Sequence, residues 1–405
     1  MNKIKNYIDG NLTDPNSKEY FDSFEPATGK AYAEVPDSDN EDLEAAIEAA
    51  QGAFKEWART PASERARLLN AIADEIDNQI ETMAKAESVD NGKPISLARV
   101  VDIPRASLNF RFFASAITSF SSESHAMEDS AINYTLRQPI GLVGCISPWN
   151  LPLYLFTWKI APALASGNCV IGKPSEITPM SAYLLSEICI DVGLPAGVLN
   201  IIHGYGNKVG SAMSGHPEIP VISFTGGTST GKRIAEAAAP HFKKLSLEMG
   251  GKNPNIIFAD CDYETSLSTA VQSSFANQGQ ICLCGSRIII ESSIYDQFCN
   301  DLVDKTNSLV QGDPLEESTQ QGAVVSEEHM AKIMKHIEMA KDDGGTVLTG
   351  GERNIVNGRC KEGWFIKPTV IEGIGTDSKI NQEEVFGPVV TLLPFDSEDE
   401  ALEIA

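Results

Sequence analysis

The apolar residues of the N-terminal region recur with a helical period. An amphipathic helix is predicted by apolar side chains spaced three or four positions apart: Leu43, Ile47, Ala50, Phe54 and Trp57. Ser38 and Glu41 precede it with the spacing of a capping box, so we expect Ser38 to be the N-cap. A second helix is predicted after Thr60 and Pro61, again with one apolar face. Both helices are expected to cover a sheet.

A different pattern begins at Ile140, where short apolar runs alternate with helical segments. Strands are predicted at residues 141–146, 169–172, 198–203, 221–224 and 255–258, and helices between them at residues 178–192 and 231–239. Such alternation is typical of a doubly wound, largely parallel α/β sheet, which binds nucleotides at the carboxyl ends of its strands. A second alternation, with strands near 287–290 and 346–348 and helices near 295–309 and 327–340, predicts a second α/β domain.

Two segments depart from this plan. Residues 121–124 are polar and residues 132–136 have the pattern of a half-exposed strand, so residues 114–137 are interpreted as an excursion from the domain. At the other end, Ser397 and Glu400 form a capping box, but the helix that they begin reaches Ala405 without a C-cap signal. We therefore expect the chain to be a C-terminally truncated fragment.

The composition excludes several classes of function. The chain of 405 residues is 42% hydrophobic, enough for large cores, and its length favours two or more domains. Its formal net charge of -24 and the lack of a Lys/Arg run argue against nucleic-acid binding. The start has no apolar signal core, and no apolar run approaches the ~20 residues of a membrane helix. We expect a cytoplasmic protein without a membrane anchor.

The cysteines are scattered, at positions 145, 169, 189, 261, 282, 284, 299 and 360. Because CxxC and His-linked spacings are missing, we expect reduced thiols and no metal site. A buried, structural role is the default for each of them. Cys282 differs, since Gly279 and Gly285 bracket it and allow sharp turns and close approach of a ligand. It is a candidate nucleophile, whereas Cys284 keeps the structural interpretation, with oxidation to pair with Cys282 as an alternative.

Two glycine-rich segments are candidates for phosphate binding. Residues 226–232 fit the first seven positions of a P-loop, but Arg233 stands where a Ser or Thr would hold magnesium. Glycines between a strand and a helix still present backbone N–H groups to a pyrophosphate, so a dinucleotide fits this segment better than a nucleoside triphosphate. Residues 204–210 have one residue too many for GxGxxG and could equally form a simple turn.

Three polar side chains are candidates for chemistry: Glu176 and Asn150 follow predicted strands, and Glu248 precedes two glycines. Glu176, three residues after Lys173, could accept hydrogen bonds from ribose hydroxyls. Its charge would disfavour a 2′-phosphate, which predicts NAD over NADP. The alternative is that Glu176 is simply an acidic residue at a helix start. Glu248 is a candidate general base, particularly if burial raises its pKa, although surface acids are commoner. Asn150, between Pro148 and Pro152, could donate to an oxyanion or simply cap a loop.

Together these residues carry a resemblance that none carries alone. The chain resembles the aldehyde dehydrogenase superfamily in an ordered series of motifs: Asn150 in Pro-Trp-Asn, Lys173 and Glu176 in Lys-Pro-Ser-Glu, Phe224-Thr225-Gly226, Glu248 in Leu-Glu-Met-Gly-Gly-Lys, Cys282 in Gly-Gln-x-Cys, and Glu384-Val385-Phe386-Gly387-Pro388. The resemblance runs from near residue 5 to the end, and the family's usual last segment is absent.

The resemblance implies a mechanism and a set of site residues. Cys282 would attack an aldehyde carbonyl, Asn150 would stabilise the oxyanion, Glu248 would activate water to hydrolyse the thioester, and Lys159 would assist proton relay. NAD would accept the hydride. The implied cofactor-binding residues are Ile146, Trp149, Lys173, Ser175, Glu176, Gly206, Gly210, Phe224, Thr225, Gly226, Gly227, Gly250, Glu384 and Phe386. Gly227 departs from the family, where many members carry a serine that hydrogen-bonds the pyrophosphate.

The resemblance also implies a domain plan. Residues 1–113 and 138–250 would form a doubly wound, Rossmann-like NAD-binding domain, and residues 251–405 an incomplete α/β catalytic domain. Residues 114–137 would be projecting oligomerisation strands, which implies a homodimer or homotetramer. Because the partner strand would be missing here, we expect this chain to be poorly stable and impaired in oligomerisation, with loss of activity as a further consequence.

The substrate prediction rests on the residues around the thiol. Residues 109–113, 150–154 and 281–284 look most similar to the branch of the family that oxidises aminomuconic or hydroxymuconic semialdehydes. The implied substrate-binding residues are Arg111, Leu151, Trp158 and Ile281. Arg111 would pair with a substrate carboxylate, the alternative being a surface ion pair. One competing function is that of a broad aliphatic, retinal or betaine aldehyde dehydrogenase. The other is that of a catalytically silent binding or structural relative.

Overall fold

A computed structural model describes residues 2–128 and 130–405. Met1, in the predicted NAD-binding domain, and Asp129, in the predicted oligomerisation segment, lie outside the described residues. The chain forms two compact units. Unit 1 consists of Met1–Ser23, Ala33–Ala86 and Arg99–Glu248, and unit 2 of Phe24–Tyr32, Glu87–Ala98 and Met249–Ala405. The expected cofactor domain had included the segments 24–32 and 87–98. They belong to unit 2 because Pro26 O accepts from Trp364 N–H and Gly92 O from Ala323 N–H, each at 3.0 Å.

The elements of the first 140 residues are short strands followed by long helices. In chain order they are β1 (Asn2–Lys3), β2 (Asn6–Ile8), β3 (Asn11–Thr13), β4 (Tyr20–Glu25), β5 (Lys30–Pro36), α1 (Asn40–Trp57), α2 (Ala62–Asn78), α3 (Ile80–Asn91), α4 (Ile95–Leu97), α5 (Ile103–Thr118), β6 (Ser124–Met127) and β7 (Ala131–Tyr134). Both predicted helices are confirmed as α1 and α2.

The first helix begins one residue later than predicted. Asp39, and not Ser38, is the N-cap of α1, and its side chain accepts from the N–H groups of Glu41 and Asp42. Ser38 Oγ instead accepts from the buried side-chain amide of Asn6 at 2.7 Å. The capping-box prediction for Ser38 and Glu41 was therefore wrong, because a tertiary hydrogen bond occupies the hydroxyl.

The remaining elements of unit 1 alternate as predicted. They are β8 (Leu142–Ile146), α6 (Pro152–Ala165), β9 (Cys169–Lys173), α7 (Met180–Asp191), β10 (Leu199–Ile201), α8 (Ser211–Gly215), β11 (Val221–Gly226), α9 (Thr228–Ala238) and β12 (Lys244–Met249). Its main sheet has the order β12-β11-β8-β9-β10-β2-β3. Strands β8 to β11 pair in parallel, while β2 is antiparallel to its two neighbours. This confirms the doubly wound, largely parallel sheet.

The strand order reverses between β8 and β11. The chain builds outward from β8 through β9 to β10, and then returns to β11 on the other side of β8. Ligands of such sheets bind at this switch point, beyond the carboxyl ends of the strands. Ile146 and Phe224 are paired there in the register.

Unit 2 contains the second predicted alternation. Its elements from residue 249 onward are β13 (Pro254–Ile257), α10 (Tyr263–Phe275), β14 (Arg287–Glu291), α11 (Tyr295–Asn307), α12 (Glu327–Asp342), β15 (Thr346–Thr349), β16 (Arg353–Asn354), β17 (Phe365–Ile366), β18 (Thr369–Glu372), α13 (Lys379–Gln382), β19 (Val389–Phe395) and α14 (Glu398–Ile404). The main sheet has the order β13-β14-β19-β18-β15, parallel except for β15.

Apolar residues cover both faces of this second sheet. Val390 and Ile288 pack with Phe275 and Phe298 in one cluster. The neighbouring Val389 packs with α12 in another. Because successive strand residues point to opposite faces, the two clusters lie on opposite sides of the sheet. Helix α14 begins at the predicted cap, where Ser397 Oγ accepts from Glu400 N–H.

The segment predicted as an excursion is a β-hairpin. Strands β6 and β7 pair antiparallel, with Ala126 opposite Ile132. Every described residue of both strands is exposed, including Met127, Ile132 and Tyr134. In residues 2–128 and 130–405, no helix has both the length and the hydropathy needed to cross a membrane. Nor does this part of the chain contain a cluster of three metal-ligating side chains.

Candidate active site

A groove opens at the switch point of the unit 1 sheet. It has a volume of about 540 Å³ and is lined by four of the predicted cofactor residues: Ile146, Glu176, Gly206 and Gly210. Sequence reasoning missed Tyr205 and Arg233, which also line it. The groove has room for the adenosine half of a dinucleotide, and its position agrees with the rule for doubly wound sheets.

An ion pair at the end of β9 fixes the polar wall of this groove. Lys173 is buried, and its Nζ donates to Glu176 Oε2 at 2.9 Å. Glu176 Oε1 accepts from Gly206 N–H at 3.2 Å. Burial alone would raise the pKa of Glu176, but the Lys173 charge and these hydrogen bonds hold it below its ordinary value. Glu176 is therefore ionised at neutral pH and presents a fixed negative charge to a ligand.

The Gly226 and Gly227 segment leads directly into α9, three residues earlier than the predicted helix start. Gly227 is the N-cap and makes no side-chain capping bond. A Cβ at this position would have open space around it, and the φ of -67° suits any residue. The glycine is therefore not required by the fold.

Gly227→Ser is expected to strengthen both the helix and the cofactor site. A serine hydroxyl accepts an N–H of the first turn and stabilises α9 by a few tenths of a kcal/mol relative to glycine. If the pyrophosphate lies at this terminus, the same hydroxyl lowers KM for the dinucleotide by about threefold. Thermal unfolding and steady-state titration of the cofactor measure the two effects. A higher Tm with an unchanged KM would place the pyrophosphate elsewhere.

Asn150 lies in the bend between β8 and α6. Its side chain is buried, and Leu151, the residue before the first turn of α6, is buried as well. Pro148 and Pro152 restrict the backbone on either side of it. Trp158, another predicted residue, lies on the same helix and is 40% exposed. The amide is thus held on a stiff segment at the carboxyl end of a central strand.

Glu248 lies at the end of β12, on the edge of the unit 1 sheet. Its Oε2 accepts from the Thr225 hydroxyl at 3.1 Å. The side chain is exposed, whereas the sequence analysis had allowed for a buried one. Lys159 is buried; burial lowers the pKa of its ammonium, and the Glu248 charge opposes this shift. Thr225, Lys159 and Glu248 therefore belong to one electrostatic cluster.

The candidate nucleophile of unit 2 lies in a tight turn. Cys284 N–H donates to Ile281 O at 3.0 Å, which places half-buried Cys282 in the centre of the turn. The side-chain amide of Asn253 donates to Cys282 O at 2.7 Å and to Cys284 O at 3.1 Å. One amide thus fixes the backbone on both sides of Leu283. Asn253 was not singled out from the sequence, although it directly follows the quoted motif that contains Glu248.

We expect Asn253→Ala to loosen this turn. It leaves two carbonyl oxygens without their donor, which costs about 1–3 kcal/mol if they remain buried. Because the turn is looser, the rate at which iodoacetamide alkylates Cys282 should differ from that of the wild type. The free energy of unfolding should fall. Asn253→Asp is the matched variant, because a carboxylate of the same shape repels both carbonyls. A smaller loss for Asp than for Ala would contradict the assigned contacts.

An unusual backbone precedes the turn. Asn277, Gln278 and Gly279 all have positive φ, of 51°, 56° and 68°. A non-glycine residue in this region costs roughly 1–2 kcal/mol. Buried amides offset the cost: Gln278 Nε2 donates to Ala323 O, and Gln280 Oε1 accepts from Val325 N–H. A Cβ on Gly279 would lie 2.1 Å from Gly387 O, so only glycine fits.

That close approach joins the thiol segment to the residues around Glu384. Ile281, Cys284, Glu384 and Phe386 line one narrow cavity of unit 2. Glu384 packs on Gly250, where a Cβ would lie 2.2 Å from Oε2. Burial raises the pKa of Glu384. This rise is opposed by the positive charges of Lys332 and Lys252 and by a hydrogen bond from the Gly251 N–H. Three predicted residues, Gly250, Glu384 and Phe386, are thus brought together in this unit.

Arg111 is not placed as predicted. Its guanidinium lies 2.7 Å from Asp74 and 2.5 Å from Asp77, two carboxylates of α2. This is the surface ion pair that was the alternative interpretation. Two acids already neutralise the guanidinium, so the assignment of a substrate carboxylate to it needs correction.

Arg105, six residues earlier on α5, has a different environment. It is exposed, and its Nη2 donates to Tyr154 Oη at 2.9 Å. The guanidinium also stacks over the Tyr154 ring at 5.1 Å. Trp158 and Phe113 continue this aromatic cluster on α6 and α5. Arg105 is thus held by the hydroxyl and ring of a tyrosine, whereas Arg111 is held by two carboxylates, a difference that sequence spacing alone does not reveal.

The remaining predicted residues are structural neighbours of these groups. Ser175 is buried, and its hydroxyl accepts from Ile177 N–H. Phe224 is buried, with its ring against Gly226. Trp149 is partly buried, next to Asn150. They support the strand ends of unit 1.

Comparison with known proteins identifies the family. The aldehyde dehydrogenase family pattern matches residues 12–405. The chain is 46% identical to a 2-aminomuconic semialdehyde dehydrogenase of Danio rerio over 98% of this chain and 82% of that protein. It is 42% identical to a 2-aminomuconic 6-semialdehyde dehydrogenase of Pseudomonas sp, over 99% of this chain and 83% of that protein. The chain belongs to the aldehyde dehydrogenase family.

A solved structure agrees with this conclusion. The NAD+ complex of an aldehyde dehydrogenase from Bacillus cereus superposes with a TM-score of 0.97 at 37% identity, covering 99% of this chain and 81% of that one. The Rossmann-like fold with a second α/β unit is therefore that of the family. Membership makes the protein an enzyme that oxidises aldehydes.

Proposed function

We propose that the protein oxidises a carboxylate-bearing semialdehyde, of the 2-aminomuconic semialdehyde class, to the carboxylic acid with NAD. The environment of Arg105 is the main support for this substrate class. Its guanidinium is exposed and lies on an aromatic cluster, and no acid is paired with it in the described chain. A guanidinium binds a carboxylate through two parallel hydrogen bonds. The names of the relatives from Danio rerio and Pseudomonas sp support the same class.

NAD is the proposed cofactor, and it supplies a hydride acceptor when bound. The groove beside Glu176 is suited to its adenosine ribose, because an ionised carboxylate accepts from ribose hydroxyls. The same charge repels the 2′-phosphate of NADP. Glu384 and Phe386 are proposed to hold the nicotinamide half. The NAD+ bound to the Bacillus cereus relative supports this choice.

The proposed chemistry uses three protein groups in two stages. The Cys282 thiolate attacks the aldehyde carbon, and the Asn150 amide donates to the oxygen that becomes negative. Loss of hydride from the adduct leaves a thioester on Cys282. Glu248 then takes a proton from water, which attacks the thioester, releases the acid and restores the thiolate. The Lys159 ammonium interacts electrostatically with the Glu248 carboxylate, and Lys159 is proposed to relay that proton.

We also propose that the enzyme is a homodimer or homotetramer joined through the β6–β7 hairpin. A two-stranded hairpin is at best marginally stable alone in water, and here both strands are exposed. Met127, Ile132 and Tyr134 give it apolar faces. We further propose a reducing, cytoplasmic location, because the cysteines of the sequence lack the paired spacing of a disulfide framework.

Arg105→Ala and Arg111→Ala together test the substrate class. We expect Arg105→Ala to raise KM for an acidic semialdehyde by about 10- to 100-fold, since a charge-assisted hydrogen bond contributes about 1.5–3 kcal/mol. KM for a neutral aldehyde of similar size should change less than threefold. Steady-state NADH formation with acidic, neutral and cationic aldehydes measures this.

Arg111→Ala is the matched control on the same helix. Because its partners are Asp74 and Asp77, it should lower Tm slightly and leave the discrimination between aldehydes unchanged. If Arg111→Ala and not Arg105→Ala removed the preference for acidic aldehydes, the assignment would be reversed. A wild-type enzyme that prefers neutral or cationic aldehydes would contradict the substrate class itself.

A further inference from the structure

Phe386 has a backbone conformation that its side chain disfavours. Its φ is +60°, in the left-handed region, where residues other than glycine are uncommon. Such conformations persist only where the surroundings hold them, and they concentrate at ligand sites. The turn joins Glu384 to strand β19. Something in unit 2 must therefore stabilise the left-handed turn at Phe386.

His329 contacts this turn directly. Its Nε2 lies 2.7 Å from Phe386 O, and the two rings meet edge to face with centroids 6.3 Å apart. A carbonyl oxygen only accepts, so the proton must be on Nε2. Burial lowers the pKa of His329 to about 4. At neutral pH the contact is therefore the Nε2–H of a neutral imidazole donating to the carbonyl of the strained residue.

The imidazole is itself firmly placed. His329 is in the first turn of α12, where its backbone N–H donates to the N-cap Ser326 Oγ at 3.1 Å. Helix α12 packs through Ile333 against Val385 and Val389, on both sides of the turn. A Cβ on Gly387 would lie 2.5 Å from Ile333 Cδ1, so the backbone approaches the helix closely. His329 thus connects a rigid helix to a strained turn.

We propose that His329 is a positioning residue that holds the turn at Phe386, and with it Glu384, in the conformation that receives the nicotinamide half of NAD. This inference rests on the proposed function, which assigns Glu384 and Phe386 to that half of the cofactor. On the other side, Glu384 is packed against Gly250. The histidine does not touch the reacting atoms and acts only through the turn.

His329→Leu tests the inference, because leucine keeps an apolar body and removes the donor. We expect KM for NAD to rise about tenfold, because one buried hydrogen bond that holds the turn is lost. With a deuterated aldehyde the isotope effect on kcat should increase, because a misplaced acceptor slows hydride transfer. His329→Gln keeps an N–H donor on the side chain and should recover part of both effects. The dissociation constant of NADH, measured by fluorescence titration, should follow KM.

His336→Leu is the control on the same helix: His336 contacts Lys332 O through Nδ1 and lies 3.9 Å from the Glu383 carboxylate, but the contact with Phe386 O belongs to His329. It should lower Tm to a similar extent without changing the isotope effect. A folded His329→Leu enzyme with unchanged KM for NAD, NADH affinity and isotope effect would overturn the inference alone. A wild-type protein that neither binds NADH nor oxidises any aldehyde would overturn both the proposed function and the inference.

Discussion

Cys282→Ala is expected to abolish aldehyde oxidation, with kcat lowered by about 10⁴-fold or more, because the proposed covalent adduct on its sulfur can no longer form. The turn around Cys282 is held by Asn253 through backbone carbonyls, so removal of the sulfur should leave the fold intact. NADH binding should be almost unchanged. Steady-state NADH formation and fluorescence titration of NADH measure the two quantities.

Cys284→Ala is the control, two residues along the same turn. Burial raises the pKa of the Cys284 thiol to about 12, so it is protonated at neutral pH and a poor nucleophile. Its replacement should retain most of the activity and lower Tm slightly. Equal loss of activity in both variants would show that the turn, and not one thiolate, determines catalysis.

Glu248→Gln is expected to separate the two stages of the reaction. In the proposed mechanism hydride transfer precedes the step that uses Glu248, so one equivalent of NADH should form rapidly for each active site. Turnover should then fall by about 10²- to 10⁴-fold, because the amide cannot accept a proton from water. Stopped-flow recording of NADH resolves the burst from the steady state.

Glu48→Gln, on the exposed face of α1, is the control for loss of one surface carboxylate from unit 1. It should behave as wild type in both phases. If Glu248→Gln lost the burst together with turnover, Glu248 would be needed before the thioester forms, for instance to deprotonate the thiol. That outcome would change the order of the proposed steps but leave Cys282 as the nucleophile.

The fold was predictable because both sheets are buried on two faces. Short apolar runs at residues 141–146 and 169–172 have few alternatives to parallel strands when helices separate them. The strand β12 was missed, since Lys244–Met249 is largely exposed and lacks the apolar run. Capping was predicted correctly at Ser397 but not at Ser38, whose hydroxyl is used by Asn6. Local patterns failed where a distant residue competed for the same group.

The site was predictable only in part, for a similar reason. Ile146, Glu176, Gly206 and Gly210 converge because strand ends of a doubly wound sheet must meet at one edge. Asn253 was missed because its partners are carbonyls 29 and 31 residues away. Arg111 and Arg105 differ only in which face of α5 they occupy. The choice between them depends on how α5 packs against α2 and α6, which the sequence does not specify.

The proposed acyl enzyme on Cys282 can be trapped and identified. Glu248→Gln protein mixed with NAD and an acidic semialdehyde should be quenched in acid within the burst and digested for mass spectrometry. The peptide that contains Cys282 is expected to carry the mass of the acyl group, in proportion to the NADH formed, and the adduct should be absent without NAD. NADH formed without an acyl adduct, or an adduct on another residue, would contradict the covalent mechanism on Cys282.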